Sequence, residues 1–81
     1  MTTKAIEARL VRQIAVILSV DASKINPETQ LHTLGVDSLS FVELLVFIEK
    51  EFRIKLLESG ITRENFRTIR SLAQCVAKAI K

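Results

Sequence analysis

The chain has 81 residues and one His and one Cys, with a formal net charge of +3. This length leaves room for one hydrophobic core, since domains commonly span roughly 50 to 200 residues. We therefore expect residues 1–81 to form a single domain, which excludes a multidomain enzyme. Hydrophobic residues make up 48% of the chain, enough for a core and too many for a disordered segment.

The lone cysteine and lone histidine exclude an intramolecular disulfide and a Cys-rich zinc site, so no metal is predicted. No run of about 18 uncharged apolar residues predicts a membrane span. Charged residues occupy the N-terminus, where a secretory signal would have its apolar run. Together these features predict a protein of the reducing cytoplasm, with a monomer as the default state.

The first predicted helix covers residues 4–19, with Thr3 as its N-cap. Its apolar side chains recur every three or four positions, the period of one helix face. They are Ile6, Leu10, Ile14 and Ile17. Residues 21–37 are rich in turn formers, and Pro27 keeps the residue before it out of helical geometry. A long loop is predicted there, held to the core by Ile25, Leu31 and Leu34.

The second main helix is predicted over residues 38–52, capped by Asp37 or Ser38. Its apolar residues are too numerous for one face. One stripe contains Leu44, Leu45, Ile48 and Phe52, and the other contains Leu39, Val42 and Val46. A short bundle has one core, so part of this apolar surface is either covered by the loops or exposed as a docking surface, and we favour docking.

The last helix shows the clearest pattern, with Thr68 as its predicted N-cap. Its core positions fit one helix face without a miss: Ile69, Leu72, Ala73, Val76, Ala77 and Ile80. A short helical turn capped by Thr62 is predicted to end at Phe66. No alternating pattern typical of strands occurs. The sequence therefore predicts an all-α fold, a small four-helix bundle of three main helices and one short helix.

Ser38 is the most informative candidate for chemistry, because it lies where the long loop gives way to a helix. An ordinary N-cap explains a serine there. A second interpretation is an attachment point, since a phosphodiester at this hydroxyl would meet the positive end of the helix dipole. A hydrolase triad with His32 and Asp37 or Asp21 is formally available. However, the Gly-x-Ser-x-Gly pattern is absent, and so small a bundle has little room for a catalytic pocket.

The run from Leu34 to Leu39, Leu-Gly-Val-Asp-Ser-Leu, resembles the attachment motif of the acyl carrier protein family. The similarity extends to Val42-Glu43-Leu44, to the Ile25-Asn26-Pro27 turn, and to the start of the last helix at residues 66–69. It covers essentially the whole chain.

The resemblance implies a four-helix acyl-carrier fold and a carrier that is not an enzyme. Ser38, flanked by Asp37 and Leu39, would receive a 4′-phosphopantetheine arm from coenzyme A through a phosphopantetheinyl transferase. Acyl intermediates of fatty acid, polyketide or related lipid synthesis would be held on the arm as thioesters. Loading and synthase enzymes would dock on a surface formed by Leu39, Val42, Glu43, Val46 and Glu49, with Glu51 as a further charged contact. Cys75 would be a spectator.

Two features depart from the family pattern and favour a specialised pathway over housekeeping fatty acid synthesis. The chain is net basic, with seven cationic and two acidic residues in 52–81, although residues 37–51 are acidic. Phe41 and Phe47 are also bulky for their positions.

Three alternatives remain open. One is an aminoacyl or peptidyl carrier. Another is a carrier-like interaction domain that has lost modification. The third, from a different class, is a basic helical nucleic-acid-binding domain, suggested by Arg63, Arg67 and Arg70. The apolar and acidic character of the second main helix argues against nucleic acid as a partner.

Overall fold

The structure, a computed structural model, describes residues 2–56 and 66–80. Their helices are α1 (Thr3–Leu18), α2 (Leu31–Leu34), α3 (Ser38–Phe52) and α4 (Ile69–Ala79), with a 3₁₀ turn at Ala22–Lys24. No strand occurs in these two ranges, and the predicted all-α class with three main helices and a short one is confirmed. None of the described helices is long and apolar enough to cross a membrane.

α1 begins one residue earlier than its sequence pattern suggests. The Thr2 hydroxyl accepts a hydrogen bond from the Ala5 N–H at 3.1 Å, so Thr2 is the N-cap and the prediction of Thr3 is wrong. Thr3 is the first helical residue, and the Thr2 side chain satisfies an N–H group of this first turn. The helix ends at Leu18, and the C-cap residue Ser19 adopts the left-handed conformation with φ of 57°.

The segment predicted as a long loop has more local structure than its turn formers indicate. Asp21 caps the 3₁₀ turn by accepting the Ser23 N–H at 2.9 Å, and α2 follows at Leu31–Leu34. Ile25 and Leu31, which were predicted to hold this segment to the core, are buried, and Leu34 is half-buried against the same core. The short turn predicted at residues 62–66 lies, apart from Phe66, outside the described residues, so the described short helix is at a different place in the chain.

α3 has the predicted bounds and the two predicted faces. Leu44 and Ile48 are buried, with 1% and 0% of their surface exposed. Leu39, Val42 and Val46 lie on the solvent side with 69%, 54% and 45% exposed, so their predicted exposure is confirmed. α3 packs against α1, and Leu44 and Ile48 belong to the common core cluster.

α4 begins with a capping box at Thr68, as predicted. The Thr68 hydroxyl accepts the Ser71 N–H at 3.1 Å, while the Ser71 hydroxyl accepts the Thr68 N–H at 3.1 Å. These reciprocal bonds satisfy two N–H groups that would otherwise lack partners at the helix start. The buried face of α4 packs on α1 and consists of Ile69, Leu72, Ala73 and Val76.

A backbone junction joins the segment before α2 to the start of α4. The Leu31 N–H donates to the Arg67 carbonyl at 2.9 Å, and the Arg70 N–H donates to the Pro27 carbonyl at 3.0 Å. Gln30 and Thr68 form an isolated antiparallel bridge between these contacts. The Arg70 guanidinium reinforces the junction from outside, 2.8 Å from Glu28 and 3.3 Å from Glu7 of α1.

Replacing Ile48 by Ala should destabilise the fold by about 2 to 5 kcal/mol, because it removes a fully buried side chain and leaves a cavity. Val46→Ala, two residues away on the exposed face of the same helix, should cost about 0.5 kcal/mol or less. Urea unfolding followed by circular dichroism measures both. Equal losses for the two variants would contradict the assignment of the α3 faces.

Candidate functional site

A tight turn at Gly35 places Ser38 at the start of α3. Gly35 has a φ of 102°, its N–H donates to the His32 carbonyl at 3.1 Å, and the Val36 N–H donates to the Leu31 carbonyl at 3.1 Å. This pair of bonds is the Schellman arrangement, in which the left-handed residue favours glycine. A Cβ at Gly35 would meet no atom within 4 Å, so the backbone angle and not the available space explains the glycine. Ser38 follows the turn directly and is exposed.

Asp37, and not Ser38, caps α3. Its carboxylate accepts the Ser40 N–H at 2.8 Å, and this bond, together with one from the Ser40 side chain, lowers the pKa of Asp37 below its ordinary value. The carboxylate is therefore ionised near neutral pH. One N–H group of the first turn is thereby used by the protein itself, while the Ser38 hydroxyl is left free of the capping role.

An open cleft of about 620 Å³ adjoins Ser38. Its lining comes from α2 and the residue before it, from the turn and first residues of α3, and from the two residues before Thr68. Among the described residues, Leu31, Val36, Phe41 and Phe66 supply the apolar lining, and Gln30, His32, Asp37, Ser38 and Arg67 the polar lining.

Two aromatic rings form one wall of this cleft. Phe41 of α3 and Phe66 meet edge to face, with ring centroids 4.6 Å apart and an angle of 88° between the ring planes. Such a pair contributes about 0.5 to 1.5 kcal/mol beyond the burial of its surface. The bulk of Phe41, which departs from the family pattern, is thus used for a contact across the site.

The predicted docking surface is an exposed strip of α3 that begins beside Ser38. Leu39, Val42 and Val46 form its apolar part, Glu43 is exposed, and Glu49 is half-buried. Glu51, expected as a further charged contact, is instead paired with Arg9 of α1 at 2.7 Å. That carboxylate joins two helices of the fold and is therefore less available to a partner.

The formal hydrolase triad is not assembled in the structure. His32 is exposed at the cleft rim, and among the described residues its side chain forms no hydrogen bond with Ser38 or Asp37. Asp37 is engaged by Ser40 and Asp21 by Ser23. Cys75 is half-buried on α4, and burial raises the pKa of its thiol, so the thiolate is a minor form near neutral pH.

Sequence reasoning missed the cleft, and with it Gln30, Phe66 and Arg67 as neighbours of Ser38. Phe66 and Arg67 lie about thirty positions after Ser38 in the sequence. The backbone junction brings them to the same cleft as Gln30 and Ser38. No periodic sequence pattern predicts this contact between the two segments, because an isolated bridge involves only one residue from each of them. The turn formers before Leu31 were the one sequence signal that the backbone of this segment forms its hydrogen bonds with another part of the chain.

Comparisons with known proteins agree on one family. The family model for the C-terminal ACP domain of the highly reducing polyketide synthase sdgA matches residues 1–81. The acyl carrier protein of Onion yellows phytoplasma (strain OY-M) is 39% identical over 66 residues, covering 80% of this chain and 84% of that protein. The acyl carrier protein of Syntrophobacter fumaroxidans is 33% identical over 79 residues, covering 96% and 95%. The aminoacyl carrier protein 2 of Bradyrhizobium diazoefficiens is 29% identical over 73 residues, covering 88% and 82%.

With the whole-chain family match, these similarities show that the chain belongs to the acyl carrier protein family. It is a carrier and not a catalyst, it works with synthase enzymes and acyl cargo, and its cofactor is a covalently attached 4′-phosphopantetheine arm.

The low pKa of Asp37 predicts how its cap responds to acid. A carboxyl whose pKa is lower in the folded chain stabilises the fold above the ordinary value of 3.8, and the effect is lost as pH falls through the lowered pKa. Asp37→Asn keeps a good N-cap but removes the titration. Its stability should therefore fall less than that of the wild type between neutral pH and about pH 2.

Urea unfolding at both pH values measures this difference. Asp21→Asn serves as the matched control, because its carboxyl also has a lowered pKa but lies away from α3. It should reduce the acid sensitivity by its own increment and leave that of Asp37 in place. An unchanged acid sensitivity in Asp37→Asn would contradict the capping role of the Asp37 carboxylate.

Proposed function

We propose that Ser38 is the attachment residue of the 4′-phosphopantetheine arm, and that residues 1–81 act as a single carrier domain. The observation that carries the proposal is the free, exposed Ser38 hydroxyl at the start of α3, beside a cleft and within the family's Asp-Ser-Leu motif. Asp37 takes over the capping of α3, so a modification on Ser38 does not remove the bond that begins the helix.

The residues around Ser38 fit this arm chemically. The arm joins a phosphodiester to two amides, a hydroxyl and a geminal dimethyl group, and ends in a thiol. The cleft offers apolar surface from Phe41 and Phe66 and polar groups from Gln30 and Arg67. The thiol of the arm, when attached, holds an acyl group as a thioester, and this chain's part is to present it.

Attachment requires no base within this chain. In the transfer, the Ser38 oxygen forms a bond to the phosphorus of the pantetheine phosphate, the bond to the 3′,5′-ADP part of coenzyme A breaks, and the serine proton leaves. A phosphopantetheinyl transferase supplies the activation, which agrees with the lack of a bond between His32 and Ser38. Because coenzyme A is an intracellular metabolite, we place this step, and the carrier as a monomer, in the cytoplasm.

The cargo we propose is an acyl intermediate of polyketide or related specialised lipid synthesis. The matched family model is that of a polyketide synthase domain, and the chain's +3 charge departs from the acidic carriers that the resemblance describes. The similarity to aminoacyl carrier proteins keeps an aminoacyl cargo as the second candidate. The nucleic-acid alternative is disfavoured, because Arg70, one of the three arginines that suggested it, is paired with Glu7 and Glu28.

Ser38→Ala should abolish loading without unfolding the protein. We would incubate the protein with coenzyme A, magnesium and a broad-specificity transferase and measure the intact mass. The wild type and the control Ser23→Ala, which removes an exposed hydroxyl elsewhere, should gain one phosphopantetheine. Because Asp37 is the cap, Ser38→Ala should cost about 0.5 kcal/mol or less. Loading of Ser38→Ala would overturn the assignment.

Val42→Asp tests the docking surface, which we propose is formed by Leu39, Val42, Glu43, Val46 and Glu49. A carboxylate placed under a partner would be desolvated without a counter-ion, so kcat/KM for the transferase should fall about ten-fold or more. Val16→Asp makes the same change on α1, where the side chain is 72% exposed, and should leave the rate unchanged. Circular dichroism checks that both variants fold. Equal rates for the two variants would contradict docking on α3.

A further inference from the structure

Arg67 lines the cleft that contains Ser38, and none of the described carboxylates is paired with it. Arg9 is paired with Glu51 and Arg70 with Glu7 and Glu28. Within residues 2–56 and 66–80, Arg67 forms no ion pair, although it lines the cleft beside Ser38. Its guanidinium is permanently charged, with donors arranged for two oxygens of one anion.

The backbone of Arg67 is held in place although its side chain is exposed. Its carbonyl accepts the Leu31 N–H at 2.9 Å, and the next residue, Thr68, is bridged to Gln30. Leu31 is itself a buried residue of the cleft. The junction therefore fixes the origin of the Arg67 side chain relative to the turn that carries Ser38.

The negative charge of Asp37 near Ser38 favours a cation at this site. Asp37 is ionised, because its pKa is lowered by the Ser40 N–H, and it lines the same cleft. A phosphodiester on the adjacent serine would bring a second negative charge close to this carboxylate, and like charges at short range repel. Of the described residues that line the cleft, Arg67 is the one with a permanent positive charge.

We propose that Arg67 binds the phosphodiester of the 4′-phosphopantetheine arm and thereby holds the arm down in the cleft, against Phe41 and Phe66. This inference rests on attachment at Ser38. The anion is bonded directly to the Ser38 oxygen, so it enters the cleft at the end where the chain is attached. The apolar wall would then face the geminal dimethyl group, and Gln30 and His32, which line the same cleft, would offer polar groups to the amides. Release of this contact frees the arm for delivery to an enzyme.

The test compares Arg67→Gln with Arg12→Gln after complete loading by the transferase with isotope-labelled coenzyme A. Arg12 is an exposed arginine of α1 outside the cleft, so its variant changes the net charge equally. Nuclear Overhauser contacts between the labelled geminal methyl groups and the rings of Phe41 and Phe66 report the docked arm. The ³¹P chemical shift reports the surroundings of the phosphodiester.

The wild type and Arg12→Gln should show these ring contacts, and Arg67→Gln should show a roughly two- to five-fold smaller docked population, the size expected for one exposed charge pair. Arg67→Lys should restore part of the loss. Raising the ionic strength from about 0.01 M to about 1 M shortens the Debye length from roughly 30 Å to roughly 3 Å. It should weaken the contacts and move the ³¹P shift in the wild type far more than in Arg67→Gln.

Ring contacts of equal strength in Arg67→Gln and Arg12→Gln would overturn the role of Arg67, as would a wild-type arm without contacts to either ring. The intact mass separates this result from a failure of the proposed function. If no protein gains the arm, attachment at Ser38 is wrong and the inference falls with it. If all gain it and the contacts do not depend on Arg67, the inference alone is wrong.

Discussion

The backbone junction between residues 27–31 and 67–70 is the constraint on which the site depends. A helix as short as α2 is unstable by itself, because the cost of nucleation is not recovered within one turn. The hydrogen bonds from Leu31 to Arg67 and from Arg70 to Pro27 anchor α2 to the first residues of α4. Only three residues separate α2 from Ser38, so the junction that fixes α2 also fixes the position of Ser38. The same bonds bring Phe66 and Arg67 to the cleft, which would otherwise have one wall.

The division of α3 into two faces lets one helix serve the fold and the function together. Leu44 and Ile48 are buried in the core, while Leu39, Val42 and Val46 stay exposed on the other face, and adjoining exposed apolar residues of this kind are typical of an interaction surface. Because the strip starts at the residue after Ser38, an enzyme that covers it would be brought directly to the proposed attachment point. Proximity of this kind is what a carrier requires, since its partner must find both the protein and the arm.

The electrostatics of the chain are organised by pairs and not by its net charge of +3. Arg9 pairs with Glu51, and Arg70 pairs with Glu7 and Glu28. Two of the positive charges are therefore used in contacts between segments of the fold. These exposed pairs are individually weak, and their value here is to fix relative positions. Asp37 has two effects, because its side chain caps α3 and also places a carboxylate next to Ser38. That carboxylate would repel a phosphodiester at the same site, and a nearby cation would offset the repulsion.

The sequence by itself determined the all-α class, the bounds of α3, the Thr68 cap, the two faces of α3 and the family, because these depend on periodicity, capping and a short motif within a few residues of each other. It misplaced the cap of α1 by one residue, since Thr2 and Thr3 are equally good caps locally and the first turn decides between them. It treated α2 as loop, because so short a helix has no periodicity of its own. Only the tertiary structure decided the cleft, its Phe41–Phe66 wall and the presence of Arg67 beside Ser38. These features arise from long-range backbone hydrogen bonds between segments whose side chains carry no shared pattern.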